Sequence, residues 1–155
     1  MAAVITPAVT EADFVDARRL FEEYAAALDI DLCFQNFGVE LENLREMYGA
    51  PRGVLLLARY NHDLAGCVAL RPFQPDVCEM KRLYVRPAAR GQHVGRRLAT
   101  AVIDAAKARG YERMVLDTLA SMQPAHALYK SLGFRDSTPY YPNVVDGVTY
   151  MELTL

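Results

Sequence analysis

The spacing of apolar residues changes several times along the chain, and each change marks an element boundary. Residues 2–9 (AAVITPAV) read as a short strand. From Thr10 onward, Phe14, Ala17, Leu20, Phe21, Tyr24 and Leu28 recur at three- and four-residue steps, the period of an amphipathic helix. Thr10 is placed to cap that helix, with Glu11 and Asp13 complementing its dipole. A second, shorter helix is predicted over Gly38–Tyr48, with Leu41, Leu44 and Tyr48 along one side. RGVLLLARY (52–60) and LAGCVALRPF (64–73) then read as strands around a turn at Asn61-His62-Asp63. VCEMKRLYV (77–85) follows a Pro75-Asp76 turn, so three short-looped strands predict an antiparallel meander.

Further on, Val94, Leu98, Ala101, Val102 and Ala105 form a helical stripe that ends before Gly110, a C′ candidate. Arg113–Leu119 is a strand by composition. The next helix has Ser121 as a candidate cap and Pro124 in its first turn, where proline is tolerated. Ala125, Leu128, Tyr129 and Leu132 share one face, and Gly133 ends it. Phe134–Ser137 and Thr149–Leu155 are the last strands, separated by the Pro- and Tyr-rich TPYYPNVVDG. The order predicts a mixed α/β (α+β) fold with most strands in one sheet covered by helices. The hairpin-linked middle excludes a purely parallel, doubly wound sheet.

At 155 residues the chain is expected to form a single domain over 1–155 with a proper core. A formal net charge of −2 argues against a general nucleic-acid binder, so any anion site must be a local cluster. The chain opens without a basic region followed by an apolar run, and no run is long enough to span a bilayer. Neither a signal peptide nor a membrane partner is therefore expected. Cys33, Cys67 and Cys78 are odd in number and lack CxxC spacing, which fits free thiols in a reducing cytoplasm. His62, His93 and His126 are scattered, so no metal site is expected.

Charge concentrates at one strand-to-helix junction. LYVRPAARGQHVGRRLA (83–99) holds four arginines and two glycines. A helix N-terminus offers unpaired N–H groups and partial positive charge, and Gly91 and Gly95 let backbone approach an anion. Arg90, Arg96 and Arg97, with Lys81, Arg82 and Arg86 nearby in sequence, are candidates for charge-assisted hydrogen bonds to it. Arginines in a first helical turn oppose the dipole, a conflict that a bound phosphate would remove. Both the Walker loop and the GxGxxG dinucleotide fingerprint are absent.

The junction resembles the acetyl-CoA-binding signature of the GNAT superfamily of N-acetyltransferases, [QR]-x-x-G-x-[GA]. Arg90-Gly91-Gln92-His93-Val94-Gly95 matches at Arg90 and Gly95, with His93 where the middle glycine usually sits. VCEMKRLYVRP upstream resembles the family's fourth strand, and AHALYKSLGFR (125–135) its late LYxxxGF helix. The resemblance spans roughly residues 64–135. It implies a mixed, mostly antiparallel sheet of about seven strands flanked by about four helices, with the fourth and fifth strands splayed. It also implies acetyl-CoA as cosubstrate, its diphosphate on amides from Gln92 through His93, Val94 and Gly95 to Arg96, and its pantetheine arm paired with Leu83, Tyr84 and Val85. His93 keeps an amide donor, but its Cβ restricts φ where glycine would be free.

An alkyl amine has a pKa of roughly 10 and must lose a proton before it attacks a thioester; the departing thiolate, with a pKa of about 8.5, is helped by an acid. The resemblance implies Glu79 as base and Tyr129 as acid, with an amide near Leu83 or Tyr84 steadying the oxyanion. Glu79 reads equally as a strand glutamate paired with Lys81 or facing solvent, and Tyr129 as a core aromatic. Met122 stands where the family often has asparagine, with Ser121 a substitute. No cysteine is paired in sequence with an activating histidine. The acceptor, a small or amino-acid-like amine, is expected beside the early helices and last hairpin, where Gln35, Tyr140 and Tyr141 are the candidate contacts. Asp29, Asp31, Asn36, Glu40 and Asn143 add polarity there. A non-catalytic acyl-CoA sensor or scaffold and an anionic-partner module stay open as alternatives, as does homodimerisation.

Overall fold

A computed structural model describes residues 3–28, 36–119, 122–141 and 147–155. Seven strands form one sheet in the order β1-β2-β3-β4-β5-β7-β6. They are β1 (Val4–Pro7), β2 (Val54–Tyr60), β3 (Asp63–Gln74), β4 (Val77–Val85), β5 (Arg113–Leu119), β6 (Arg135–Ser137) and β7 (Val148–Thr154). Neighbours pair antiparallel except β4 and β5, which run parallel.

Among the described residues the α-helices are α1 (Glu11–Leu28), α2 (Phe37–Glu42), α3 (Leu44–Tyr48), α4 (Val94–Ala108) and α5 (Gln123–Ser131). The helix predicted over 38–48 is thus two. Asn43 leaves helical geometry at φ −130°, and its side-chain amide donates to the Val39 carbonyl at 2.8 Å, ending α2. Thr10 does cap α1: the Asp13 N–H donates to Thr10 Oγ1, and the Asp13 carboxylate accepts from the Thr10 and Val9 amides. Asn61 and His62 both adopt positive φ, the two-residue turn whose twist suits a hairpin.

The sheet separates two cores. Leu56, Val68, Leu70, Cys78, Met80, Met114 and Leu116 pack under α4 through Val94, Leu98, Val102 and Ala106. On the opposite face, Leu55, Leu57, Cys67 and Ala69 meet Ala17, Leu20 and Phe21 of α1 and Leu44 and Tyr48 of α3. Alternation along β4 therefore sends Cys78 and Met80 toward α4, and Glu79 and Lys81 toward the other face. No helix of the described residues is long and apolar enough to cross a membrane.

Candidate active site

The parallel strands β4 and β5 stay in register only over Val77–Glu79 and Arg113–Val115. Beyond that they part, and Tyr24, Leu83, Tyr84, Val85, Gly95, Leu119, Met122 and Leu128 line a largely apolar cleft of about 560 Å³ that also reaches Arg90. At its floor a smaller gap is bounded by Lys81, Arg82, Leu83, Asp117, Thr118 and Tyr129. The parting coincides with a bulge. Cys67 faces Tyr84 and Ala69 faces Lys81, so Arg82 and Leu83 share the place opposite Val68. Arg82 takes up the extra residue at φ 60°, a left-handed conformation rare for arginine. Gly66 permits the close approach here: a Cβ on it would lie 2.5 Å from the Tyr84 carbonyl oxygen.

At the outer end of the cleft the turn before α4 bends through Gly91 (φ 83°) and His93 (φ 62°), so the histidine accepts the left-handed backbone that a glycine would take freely. His93 is the N-cap of α4 and makes no side-chain capping bond. Among the described residues amides 91–96 have no backbone partner, which leaves a row of donors at a helix N-terminus. Of the arginines, Arg90 lines the cleft and Arg96 donates to Ser131 Oγ at 2.8 Å. The others are committed elsewhere. Arg97 donates to the Ala3 carbonyl, Arg86 forks onto Glu23, Arg82 onto Glu40, and Lys81 lies 3.9 Å from Glu79. Of the six candidate cations, Arg97, Arg86, Arg82 and Lys81 are thus engaged elsewhere: strand alternation and the helix turn point neighbours in sequence in different directions.

On the face opposite α4, Glu79 is 1% exposed. Arg71 Nε donates to its Oε1 at 2.7 Å and the Tyr140 hydroxyl to its Oε2 at 2.6 Å. On β5, Asp117 accepts from the Tyr141 hydroxyl. Two carboxylates on diverging strands thus each hold one tyrosine from the chain between β6 and β7. Phe73 and Tyr150 complete an edge-to-face ring cluster around them. Burial, and then the Glu79 charge, push the Tyr140 hydroxyl well above its ordinary pKa, so it keeps its proton. Lys81 is 8% exposed, and burial holds its ammonium below the usual lysine range. The Tyr150 hydroxyl is buried without a hydrogen-bond partner among the described residues.

Residues 15–134 match the Acetyltransferase (GNAT) family. The chain belongs to that family. It is 47% identical over 145 residues to an uncharacterized N-acetyltransferase of Schizosaccharomyces pombe, covering 92% of this chain and 89% of that one. A GNAT-family acetyltransferase from Staphylococcus aureus superposes with a TM-score of 0.81 at 20% identity, covering 99% of both chains. A protein from Salmonella typhimurium solved with its cofactor acetyl-CoA gives a TM-score of 0.70 at 20% identity, covering 99% of this chain and 94% of that one. The chain is therefore a GNAT enzyme, and acetyl-CoA is its cosubstrate.

For a GNAT enzyme the sequence-derived residues fall into two groups on either side of the parted strands. Leu83, Tyr84, Val85, Arg90 and Gly95 line the cleft itself, and Gln92, His93, Val94 and Arg96 belong to the donor row at its outer end. Glu79, Tyr140 and Tyr141 stand together on the opposite face. Tyr129 projects from α5 into the floor between them, 7% exposed, and burial raises its pKa. Met122 is the N-cap of α5, and Thr118 Oγ1 lies 4.0 Å from its sulfur. Glu40 is buried and ion-paired with Arg82. Gln35, with Asp29, Asp31, Cys33, Ser121 and Asn143, lies outside the described residues. Cys67 and Cys78 are buried free thiols; burial raises both pKa values, Cys78 to about 12, which leaves them unreactive. No group of metal-ligating side chains occurs among the described residues. Sequence reading missed Arg71 and Asp117. Each sits in an unremarkable strand and gains its role only from a partner across the sheet.

Proposed function

We propose that the chain moves the acetyl group of acetyl-CoA to the primary amine of a small, amino-acid-like acceptor by direct attack in a ternary complex. The Tyr140–Glu79 hydrogen bond on the face opposite the cofactor cleft carries this reading. In it, the Tyr140 oxygen takes a proton from the bound ammonium as its own proton passes to Glu79 Oε2. The freed nitrogen lone pair attacks the thioester carbon, and the bulge amide at Leu83 or Tyr84 steadies the oxyanion. Collapse breaks the C–S bond. Tyr129 gives its proton to the CoA sulfur and is restored by the nitrogen's second proton, so the products are the amide, free CoA thiol and one proton held by Glu79. The diphosphate rests on amides 92–96 beside Arg90, and the pantetheine arm pairs with the open edge Leu83–Val85.

Chemistry around Tyr140 favours the acceptor class. Two carboxylates and a ring cluster suit an ammonium group. Arg71 bonds Glu79 through Nε alone among the described residues, leaving the rest of its guanidinium for an acceptor carboxylate. Thiol release from acetyl-CoA across a panel of amines, amino acids and peptides tests this. Turnover with an amino-acid-like member, lost in Glu79→Gln, supports it. Tight acetyl-CoA binding with no turnover across the panel favours a cofactor sensor instead.

A further inference from the structure

We propose that the Glu40–Arg82 ion pair is a positioning device that holds the β4 bulge in its left-handed conformation and so aims the bulge amide at the thioester oxygen. This rests on the acetyl-transfer reading above.

A left-handed conformation is unfavourable for any residue other than glycine, and it persists where its surroundings over-determine it. Around Arg82 they do. Its Nε donates to Glu40 Oε2 at 2.9 Å and its Nη2 to Oε1 at 2.7 Å, a planar fork that fixes the guanidinium in direction as well as distance. Tyr48 donates its hydroxyl to the same Oε2 at 2.9 Å. Phe37 and Tyr24 stand 5.2 Å and 5.7 Å from the guanidinium carbon. From β3, the Cys67 thiol reaches the Arg82 carbonyl at 3.4 Å.

Both charges are buried, Arg82 5% and Glu40 2% exposed. A buried pair of this kind is a poor way to gain stability, because desolvation offsets most of the attraction. What it does supply is direction. The pair ties α2 to the residue where β4 changes register, immediately before the edge Leu83–Val85. If Arg82 relaxed to extended backbone, the 82–83 peptide would rotate and carry the Leu83 N–H away from the cleft.

Glycine adopts the left-handed conformation freely, and alanine does not. Arg82→Gly and Arg82→Ala lose the same side chain yet differ in the bulge. Turnover is measured per CoA-binding site, counted by calorimetry, so that misfolded protein drops out. The expected order of kcat is wild type, then Arg82→Gly, then Arg82→Ala, with Arg82→Ala about 10²-fold down, as for loss of one oxyanion donor. Glu40→Gln should lower kcat about tenfold, a weaker version of that loss, while the KM for acetyl-CoA stays within about threefold. Equal kcat in the two Arg82 variants, or wild-type kcat in Glu40→Gln, overturns the proposal. Should neither Arg82 variant bind CoA, Glu40→Gln alone decides. The Leu83 amide resonance gives a readout independent of turnover: acetyl-CoA should shift it in the wild type and Arg82→Gly, but not in Arg82→Ala. If the wild type turns over no amine, the transfer reading falls, and the Leu83 signal still tests the clamp. A Leu83 shift in Arg82→Ala equal to the wild type's overturns it.

Discussion

The Tyr140 hydroxyl donates a 2.6 Å hydrogen bond to Glu79 Oε2, joining the chain between β6 and β7 to the middle of β4. Arg71 occupies the other carboxylate oxygen, so a proton reaching Glu79 arrives most directly through the tyrosine. Tyr140→Phe breaks that route. At pH 7 it should lower kcat by about 10²-fold, the lower end for loss of general base catalysis. The deficit should shrink as the pH approaches roughly 10, where an alkyl amine is already neutral. A pH–rate profile of both proteins checks this.

Tyr129→Phe should act on the other half of the reaction. Its hydroxyl has no hydrogen-bond partner among the described residues, and burial keeps it protonated. Removing it should cost about 10²-fold in kcat with little change in acetyl-CoA affinity. The loss should lessen above about pH 8.5, where a thiolate leaves without protonation. Stopped-flow thiol release across pH 6.5–9.5 measures it.

Gly66→Ala puts a Cβ 2.5 Å from the Tyr84 carbonyl oxygen and 3.2 Å from Leu98 Cδ1. Because the nearer obstacle is backbone, β4 itself must move. Stability should fall by about 1–3 kcal/mol in urea melts, the cost of overpacking. The KM for acetyl-CoA should rise, since the displaced residues include the edge Leu83–Val85. Gly38→Ala, in helix α2 with a Cβ that would meet nothing within 4 Å, is the control: it should leave the KM unchanged and stability unchanged or slightly raised.

Acid should unfold the protein through particular carboxylates. Burial alone would raise the pKa of Glu40, but the Arg82 fork and charge outweigh it and hold it below the ordinary 4.5. Glu23 is lowered chiefly by its hydrogen bond from Arg86, and Asp13 by the Val9 and Thr10 amides. A carboxylate depressed in the folded state contributes stability fully present above its unfolded pKa and lost as pH falls through the folded one. Urea midpoints should therefore hold steady from pH 7 to about 5 and drop below about 4.5, near the ordinary carboxylate range. The drop should be shallower in Glu40→Gln.

Much of this arrangement was legible in the chain because it is local. Apolar runs bounded by the Asn61-His62-Asp63 and Pro75-Asp76 turns marked β2, β3 and β4, and Thr10 followed by acidic residues marked the start of α1. The signature from Arg90 to Gly95 pointed to the turn even though His93 replaced a glycine, because the amides, not the side chains, supply the donors. What stayed hidden depends on long-range partners. Arg82 is left-handed, and the Glu40 carboxylate that its guanidinium forks onto lies 42 positions away. Glu79 reads as a strand glutamate until Arg71 and Tyr140 close around it. The six cations of 81–97 look like one cluster in sequence, but the pleat and the helix turn disperse them.

The central claim is that the parted strands β4 and β5 hold acetyl-CoA with its diphosphate on the amides before α4 and its acetyl group at the β4 bulge. A crystal structure with acetyl-CoA bound tests it most directly. Diphosphate oxygens should lie within hydrogen-bonding distance of amides 92–96, with the acetyl oxygen facing the Leu83 or Tyr84 N–H. Cofactor density outside this cleft, or an acetyl group remote from Glu79, Tyr140 and Tyr129, would contradict it.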